Sequence, residues 1–260
     1  MNLARRGLLA APLILTAPAA RAAWPDKPIR IVVAFAPGSS TDIIARLLAP
    51  QLAAQMGQNV IVENKPGGGG RTVLEQARSA EPDGNTIVLT PTAMLTIFPH
   101  VYRKLGYDTF RDFTAIGSGA TFVTAITAGP GLPENVRNLK ELLEWARQNP
   151  KLASYGSPGA GTSLHFVGTM LSRLAGNSMN HVPYKGAAPI IPDLIGGQIP
   201  LAIISASPAL VQAKAGKLKA IALTSPGKLS SAPDWPALAD TFPGFDASPR
   251  LFVLAPAGTP

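Results

Sequence analysis

The chain has 260 residues, of which 46% are hydrophobic and 15% are charged. This composition excludes a disordered chain and allows one large domain or two lobes, each with a packed core. The sequence has no cysteine, which excludes disulfide bonds, thiol nucleophiles and thiolate metal sites. The net charge is +8 without a run of five or more basic residues, so nucleic-acid binding is not indicated.

Residues 1–22 have the pattern of a secretory signal. Arg5 and Arg6 precede an apolar stretch, and small residues ending at Ala22 form a cleavage site. The apolar stretch is short for a membrane span, and the alternative is an uncleaved anchor. We expect a periplasmic protein exported by the general or the twin-arginine route. Loss of Arg5, Arg6 and Arg21, with no acidic residue, would lower the net charge from +8 to +5.

The first half of the mature chain alternates strand and helix patterns. The apolar, β-branched run "IRIVVA" predicts a buried strand, and Thr41 is a predicted N-cap of the helix that follows it. Pro50 is expected to kink that helix or end it early. The runs "NVIVEN" (59–64) and "TIVLT" (86–90) predict two more strands, with a helix between them. This β-α-β-α-β order predicts a parallel sheet covered by helices.

The same alternation restarts after an extended stretch at 113–127, which we interpret as a crossing between two lobes. A second predicted crossing lies at 218–226, and "RLFVLAP" would rejoin the first lobe. The predicted organisation is a signal peptide at 1–22, lobe 1 at 23–118 and 227–260, and lobe 2 at 119–226. Each lobe is expected to be an α/β unit with a mostly parallel sheet flanked by helices.

The motif P-G-x-x-T occurs twice, each time between a predicted strand and a predicted helix. The copies are "PGSST" (37–41) and "PGAGT" (158–162), at a constant offset of 121 residues. Ligands bind at the carboxyl ends of strands in open α/β sheets, and helix N-termini favour anions. Two such turns in separate lobes therefore predict an anion-binding cleft; the alternative is that both are merely helix caps.

Motifs for other chemistry are missing from the sequence. It has no P-loop, no dinucleotide fingerprint, no G-x-S-x-G elbow and no clustered metal ligands. His165 could touch a ligand from the second cleft helix or pack at its start. Arg71, after the "GGGG" run, could grip a carboxylate or lie in solvent, and the same two readings hold for Lys185. We expect no catalysis, no metal and no cofactor.

The chain resembles the extracytoplasmic solute receptors of tripartite tricarboxylate transporters, also called Bug receptors. The resemblance covers nearly the whole mature chain in order. The matching stretches are "WPDKPIRIVVAFAPGSSTDIIARLLAPQLAAQMGQNVIVENKPGGGG", "PDGNTIVL", "YGSPGAGTSLH", "HVPYKGAAPIIPDLIGGQI", "AGKLKAIALTS" and "LFVLAPAGTP". The resemblance implies a two-lobed periplasmic-binding-protein (Venus flytrap) fold. It also implies a monomer that captures a small carboxylate and delivers it to integral-membrane transporter subunits. The alternatives are a sensory receptor or an exported hydrolase.

The ligand loops of the family map onto five segments of this chain, where backbone groups and ordered water would hold the carboxylate. The expected ligand-binding residues are Phe35, Pro37, Gly38, Ser39, Ser40, Thr41, Asp42, Gly69, Gly70, Arg71, Thr90, Thr92, Ala93, Ser157, Gly159, Gly161, Thr162, His165, Tyr184, Lys185, Gly186 and Ala187.

Several positions depart from the family pattern. Ser39 replaces a common glycine, Arg71 replaces a usual asparagine, and Pro200 and Ile204 stand where acids are frequent. Gain of a cation and loss of acids indicate a cleft suited to an anion rather than an amine. Thr259-Pro260 looks like the start of a helix, and family members continue for several dozen residues. From this we expect that a C-terminal part of lobe 1 is missing.

Overall fold

The computed structural model describes residues 24–260, which contain two five-stranded sheets. In chain order the strands are β1 (Ile29–Val33), β2 (Val60–Asn64), β3 (Thr86–Pro91), β4 (Phe113–Thr121), β5 (Thr124–Ala128), β6 (Ser154–Ser157), β7 (Asn180–Pro183), β8 (Leu201–Ser205), β9 (Lys219–Leu223) and β10 (Arg250–Pro256). The first sheet has the order β2-β1-β3-β10-β4, and the second has the order β7-β6-β8-β5-β9. The predicted signal at 1–22 lies outside the described residues.

Nine α-helices within residues 24–260 flank the two sheets. They are α1 (Ser40–Met56), α2 (Arg71–Ala77), α3 (Ala93–Thr96), α4 (Phe98–Val101), α5 (Leu139–Gln148), α6 (Ser163–Leu174), α7 (Ile190–Ile195), α8 (Ala206–Lys214) and α9 (Leu238–Thr241). In this part of the chain no helix combines the length and the apolar character needed to cross a membrane.

Each sheet is mostly parallel and contains one reversed strand. β1 pairs in parallel with β2 and β3, and β6 pairs in parallel with β7 and β8. The reversed strand is β10 in the first sheet and β5 in the second, and each pairs antiparallel with both neighbours. This architecture confirms the predicted α/β fold with two lobes.

The alternation of β1 explains why its sequence is apolar except at the exposed Arg30. Ile31 and Val33 pack on one face in a cluster that includes Ala45 of α1. Val32 packs on the other face in a cluster that includes Val73 of α2. A strand covered by helices on both faces buries most of its side chains, which favours successive apolar residues over alternation with polar ones.

Helix α1 does not end early at Pro50, contrary to one of the outcomes expected from the sequence. It continues to Met56 and closes at Gly57, whose φ of 65° places it in the left-handed region. Pro50 is exposed on the helix surface. A Gly in the left-handed conformation is the usual helix C-cap, so the end of α1 follows Gly57 rather than Pro50.

The segment 227–249, predicted for lobe 1, packs on the second sheet instead. Leu238 lies in the core cluster of that sheet, and Ala237 forms a bridge with Leu223. The N–H of Ala247 donates to the carbonyl of Thr224 at 2.9 Å. Since these contacts precede β10, we propose that the second crossing lies at 248–249 rather than at 226.

Candidate functional site

A cavity lies between the two lobes, where the loops that follow several strands meet. The cavity itself encloses about 40 Å³, and the atom-free space that it shares with its open mouth is about 490 Å³. Its lining combines the starts of helices with apolar side chains from both lobes. The lining residues are Phe35, Ser39, Ser40, Thr41, Pro91, Ala93, Met94, Phe122, Pro158, Thr162, Ser163, Leu164, Ala187, Ser205 and Pro249.

The first cleft loop (residues 37–42) joins β1 to α1 and is closed by reciprocal hydrogen bonds. Ser39, not Thr41, is the N-cap: its Oγ accepts from the N–H of Asp42 at 3.3 Å. In return, the Asp42 carboxylate accepts from the N–H of Gly38 at 2.9 Å. Gly38 has φ of 81°, a conformation that L side chains rarely adopt.

The second cleft loop (residues 158–165) repeats this arrangement between β6 and α6. Thr162 is the N-cap, and its Oγ1 accepts from the N–H of His165 at 3.3 Å. Nδ1 of His165 accepts from the N–H of Gly161 at 3.1 Å, and Gly161 has φ of 79°. His165 thus replaces the carboxylate that closes the first loop.

The two loops are therefore equivalent at an offset of 123 residues, not at the 121 of the P-G-x-x-T motif. Gly38 and Ser39 of the first loop correspond to Gly161 and Thr162 of the second. The second loop has two more residues between its proline and its cap, so Thr41 matches Thr162 in the sequence motif but not in the fold. The predicted pairing of the loops was right, but its register was wrong.

Each cleft loop presents two backbone donors to the cavity. The N–H groups of Ser40 and Thr41 have no acceptor within residues 24–260, and neither do those of Ser163 and Leu164. All four residues line the cavity. Unsatisfied N–H groups at a helix start bind anions, because the helix dipole adds to their partial positive charge.

Asp42 stabilises the first cleft loop from the side that faces away from the cavity. Its side chain is 3% exposed, and its Oδ1 accepts from Nε of Arg46 at 3.0 Å and from Nδ2 of Asn64 at 2.9 Å. Burial alone would raise the pKa of Asp42, but hydrogen bonds from Arg46, Gly38 and Asn64 outweigh it and lower that pKa. Asp42 is thus an ionised supporting residue and does not line the cavity.

A stack of rings supports the second cleft loop. The rings of His165 and His181 stack with centroids 4.0 Å apart, and His181 also stacks on Tyr155. Nε2 of His181 lies 2.7 Å from Oγ of the buried Ser157. Burial lowers the pKa of His165, and burial followed by the charge of His165 lowers the pKa of His181 to about 4. Both rings are neutral at neutral pH, and neither lines the cavity.

Three residues expected to contact the ligand do not line the cavity. Cζ of Arg71 lies 3.9 Å from the ring centroid of Tyr102, and its Nε donates to the carbonyl of Gly68 at 2.9 Å. The hydroxyl of Tyr184 donates to Asp193 at 2.7 Å, and burial followed by that carboxylate raises its pKa to about 12. Lys185 is exposed.

The structure thus brings only part of the predicted set to the cavity. The predicted residues that line it are Phe35, Ser39, Ser40, Thr41, Ala93, Thr162 and Ala187. Ser205 was missed, although a serine at the end of the run "LAIIS" before a helix is a recognisable N-cap signal. Phe122 and Pro249 reach the cavity from the crossings between the lobes, and no local sequence pattern marks them.

Several predicted glycines instead form the contact between the closed lobes. A Cβ on Gly159 would lie 2.7 Å from Cα of Gly69, and one on Gly69 would lie 2.9 Å from the carbonyl oxygen of Ala160. The hydroxyl of Tyr102 donates to the same Ala160 carbonyl at 2.8 Å. A Cβ on Gly186 would lie 3.4 Å from N of Ala36 and 3.4 Å from Cβ of Phe35, which is ordinary contact. The lobes therefore close main chain against main chain, beside the cavity.

Comparisons with known proteins agree with this architecture. Residues 44–260 match the model of the tripartite tricarboxylate transporter family receptor. A UPF0065 protein of Bordetella bronchiseptica is 33% identical over 98% of this chain and 76% of its own length.

Solved structures of similar proteins have the same fold. The periplasmic binding protein BugD is 36% identical with a TM-score of 0.85, over 91% of this chain and 79% of its own. Rpa4515 of R. palustris, solved with adipate, is 29% identical with a TM-score of 0.86 over the same shares. These matches confirm the resemblance noted from the sequence. The chain belongs to the receptor family of tripartite tricarboxylate transporters, whose members are periplasmic solute-binding proteins.

Proposed function

We propose that this receptor captures a small carboxylate-bearing solute in the interlobe cavity and delivers it to the membrane subunits of a tripartite tricarboxylate-type transporter. The observation that carries the proposal is the convergence of two helix starts on one cavity. The free N–H groups of Ser40 and Thr41 come from one lobe, and those of Ser163 and Leu164 come from the other. An anion held by both pairs joins the lobes, so binding favours closure.

The site supports binding without chemical conversion. Ser157 and His181 form the described pair nearest to a nucleophile and base, but neither lines the cavity, and Ser157 is fully buried. A solute in the cavity would meet backbone donors, hydroxyls and apolar walls. We therefore propose a monomeric receptor that releases its ligand unchanged. Export would remove the signal near Ala22, which mass spectrometry of the periplasmic protein would check.

A binding screen tests the capture step. The mature protein would be heated with mono-, di- and tricarboxylates, amino acids and aromatic acids, since a true ligand raises the melting temperature by mass action. Hits would be titrated by calorimetry against wild type and Thr41→Val, with Thr114→Val as a matched control on the exposed part of β4. Selective loss of affinity in Thr41→Val is expected. Absence of a shift with every acid would refute carboxylate capture.

Delivery needs a separate experiment. Proteoliposomes containing the large and small membrane subunits of a tripartite transporter would be supplied with the loaded receptor and radiolabelled solute. Receptor-dependent uptake supports the transport role. Tight binding without uptake would instead favour a receptor that presents its solute to a signalling partner.

A further inference from the structure

The cavity between the cleft loops is too small to enclose a whole solute. It encloses about 40 Å³, whereas a single water molecule needs roughly 10–15 Å³ of such volume. The cavity therefore has room for about three water-sized groups, which is the size of one carboxylate. The rest of a bound solute must occupy the space beside the cavity.

A larger pocket, here called the side pocket, adjoins the cavity. It encloses about 270 Å³ and shares three wall residues with the cavity, namely Ala93, Ser163 and Pro249. Its other walls include Thr96 of α3 from the first lobe and Ala247 from the segment packed on the second sheet. Because Ser163 also begins α6, a solute anchored at the helix starts can extend past these shared walls into the side pocket.

Arg250 is the one charged residue within 24–260 that lines the side pocket. It begins β10, in which Leu251 packs on the face covered by α1 and Phe252 packs on the opposite face with Met94 of α3. Since successive strand residues alternate between faces, Arg250 lies on the same face as α3. Its main chain is fixed there, because its carbonyl accepts from the N–H of Thr92 at 2.8 Å.

The charge of Arg250 is not paired with an acid inside the protein. Arg250 is exposed, and none of the ion pairs in the described part of the chain includes it. The acid in its field is Asp246, whose pKa is lowered by hydrogen bonds from Ser248 and, less strongly, by the charge of Arg250. That carboxylate already accepts from the N–H of Ser248 at 2.9 Å. A guanidinium binds a carboxylate through two parallel hydrogen bonds, so Arg250 suits an acidic group in the side pocket.

We propose that Arg250 determines specificity by binding the second carboxylate of a solute whose first carboxylate lies at the starts of α1 and α6. This inference rests on the proposed function and extends it to the far end of the solute. The first carboxylate fills the cavity, the hydrocarbon chain passes Ala93 and Pro249, and the second carboxylate meets Arg250 in the side pocket. A neutral end gains no such contact and an ammonium end is repelled, so recognition favours acids with two charges.

Pairs of acids with the same carbon number test the inference on the mature protein. Succinate, glutarate, adipate and pimelate are titrated by calorimetry against butanoate, pentanoate, hexanoate and heptanoate. In the best pair the diacid should bind at least about tenfold more tightly, and Arg250→Gln should reduce this ratio at least about fivefold. The control is Arg173→Gln, which removes an exposed arginine at the other end of α6 and should keep the wild-type ratio.

The outcomes separate this inference from the proposed function. Equal binding within every pair, an unchanged ratio in folded Arg250→Gln, or an equal fall in Arg173→Gln would overturn the role of Arg250 but leave solute capture standing. Absence of binding by these probes and by every other acid in the screen would overturn both.

Reversal of the charge provides the second test. Arg250→Glu should weaken binding of the best diacid and strengthen binding of the ω-amino acid of the same carbon number, such as 6-aminohexanoate in place of adipate. The affinity ratio of amino acid to diacid should rise at least about tenfold over wild type. Arg250→Lys keeps the charge without the planar fork and should retain part of the preference for the diacid. A wild-type ratio in folded Arg250→Glu, or an equal rise in Arg173→Glu, would refute the contact between Arg250 and the second carboxylate.

Discussion

Replacing Gly159 by alanine would add one methyl group at the contact between the lobes. The new Cβ would lie 2.7 Å from Cα of Gly69, where ordinary contact requires 3.4–4 Å. Gly159 is not among the glycines with positive φ, so alanine fits its backbone within the isolated lobe. The substitution should therefore leave the lobes folded and oppose only their closure.

The cost follows from the displacement. To relieve the contact, the lobes must separate by about 1 Å, which is the difference between the built and ordinary distances. That movement stretches the hydrogen bond from Tyr102 to Ala160, now 2.8 Å, beyond bonding distance. Losing it costs about 1 kcal/mol, and residual overpacking adds about another 1 kcal/mol. Closure and ligand affinity should weaken by about 2 kcal/mol, or about 30-fold.

The cysteine-free chain allows a direct assay. One engineered cysteine on each lobe, labelled for energy transfer, reports the distance between lobes during titration with the tightest carboxylate from the screen. Gly159→Ala should bind about 30-fold more weakly and need more ligand to close, with urea unfolding unchanged within about 0.5 kcal/mol. Gly227→Ala is the control, since a Cβ there meets no atom within 4 Å. Wild-type affinity in Gly159→Ala, or an equal loss in Gly227→Ala, would refute the closure argument.

Three further substitutions test single contacts. Tyr102→Phe removes the interlobe hydroxyl and should weaken binding up to about tenfold in calorimetry; Tyr184→Phe, whose hydroxyl bonds Asp193 within lobe 2, should not. The pKa of His181 is lowered to about 4, so the folded protein loses stability as the pH falls from about 6.5 to about 4. In urea unfolding, His181→Gln should reduce this loss by about 1–3 kcal/mol. An unchanged dependence of stability on pH would contradict the assignment. The lowered pKa of Asp42 stabilises the folded protein above about pH 4, and this stabilisation is lost as the pH falls through the folded pKa. Asp42→Asn should therefore be less stable at pH 7 but lose less on acidification, and parallel profiles would contradict this.

The fold was readable because it depends on local signals. The apolar run of β1 predicted a buried strand, and the strand-helix alternation predicted a parallel sheet covered by helices. The register of the cleft loops was misread because it depends on loop length: two extra residues before Thr162 shift its equivalent from Thr41 to Ser39. A single sequence shows the matching letters but not which hydroxyl closes the helix start.

The direction in which a long side chain points could also not be predicted from the sequence. Arg71 follows the glycine run as expected, yet its guanidinium lies on Tyr102, a residue 31 positions away that no motif connects to it. The structure likewise brings Phe122, Pro249 and Ser205 to the cavity from three distant segments. Such meetings depend on how the lobes close, so they follow from tertiary geometry rather than from local pattern.

The contact between the lobes and the side chains that line the cavity use different parts of the chain. Gly69, Gly159 and the carbonyl of Ala160 meet as main chain, whereas Met94 and Leu164 present side chains to the cavity. We expect that exchanging the second set alters which solute is bound without disturbing the contact between the lobes. This separation makes the receptor a suitable scaffold for reprogrammed solute sensors, in which new specificities are introduced while the closing motion, and hence the signal, is retained.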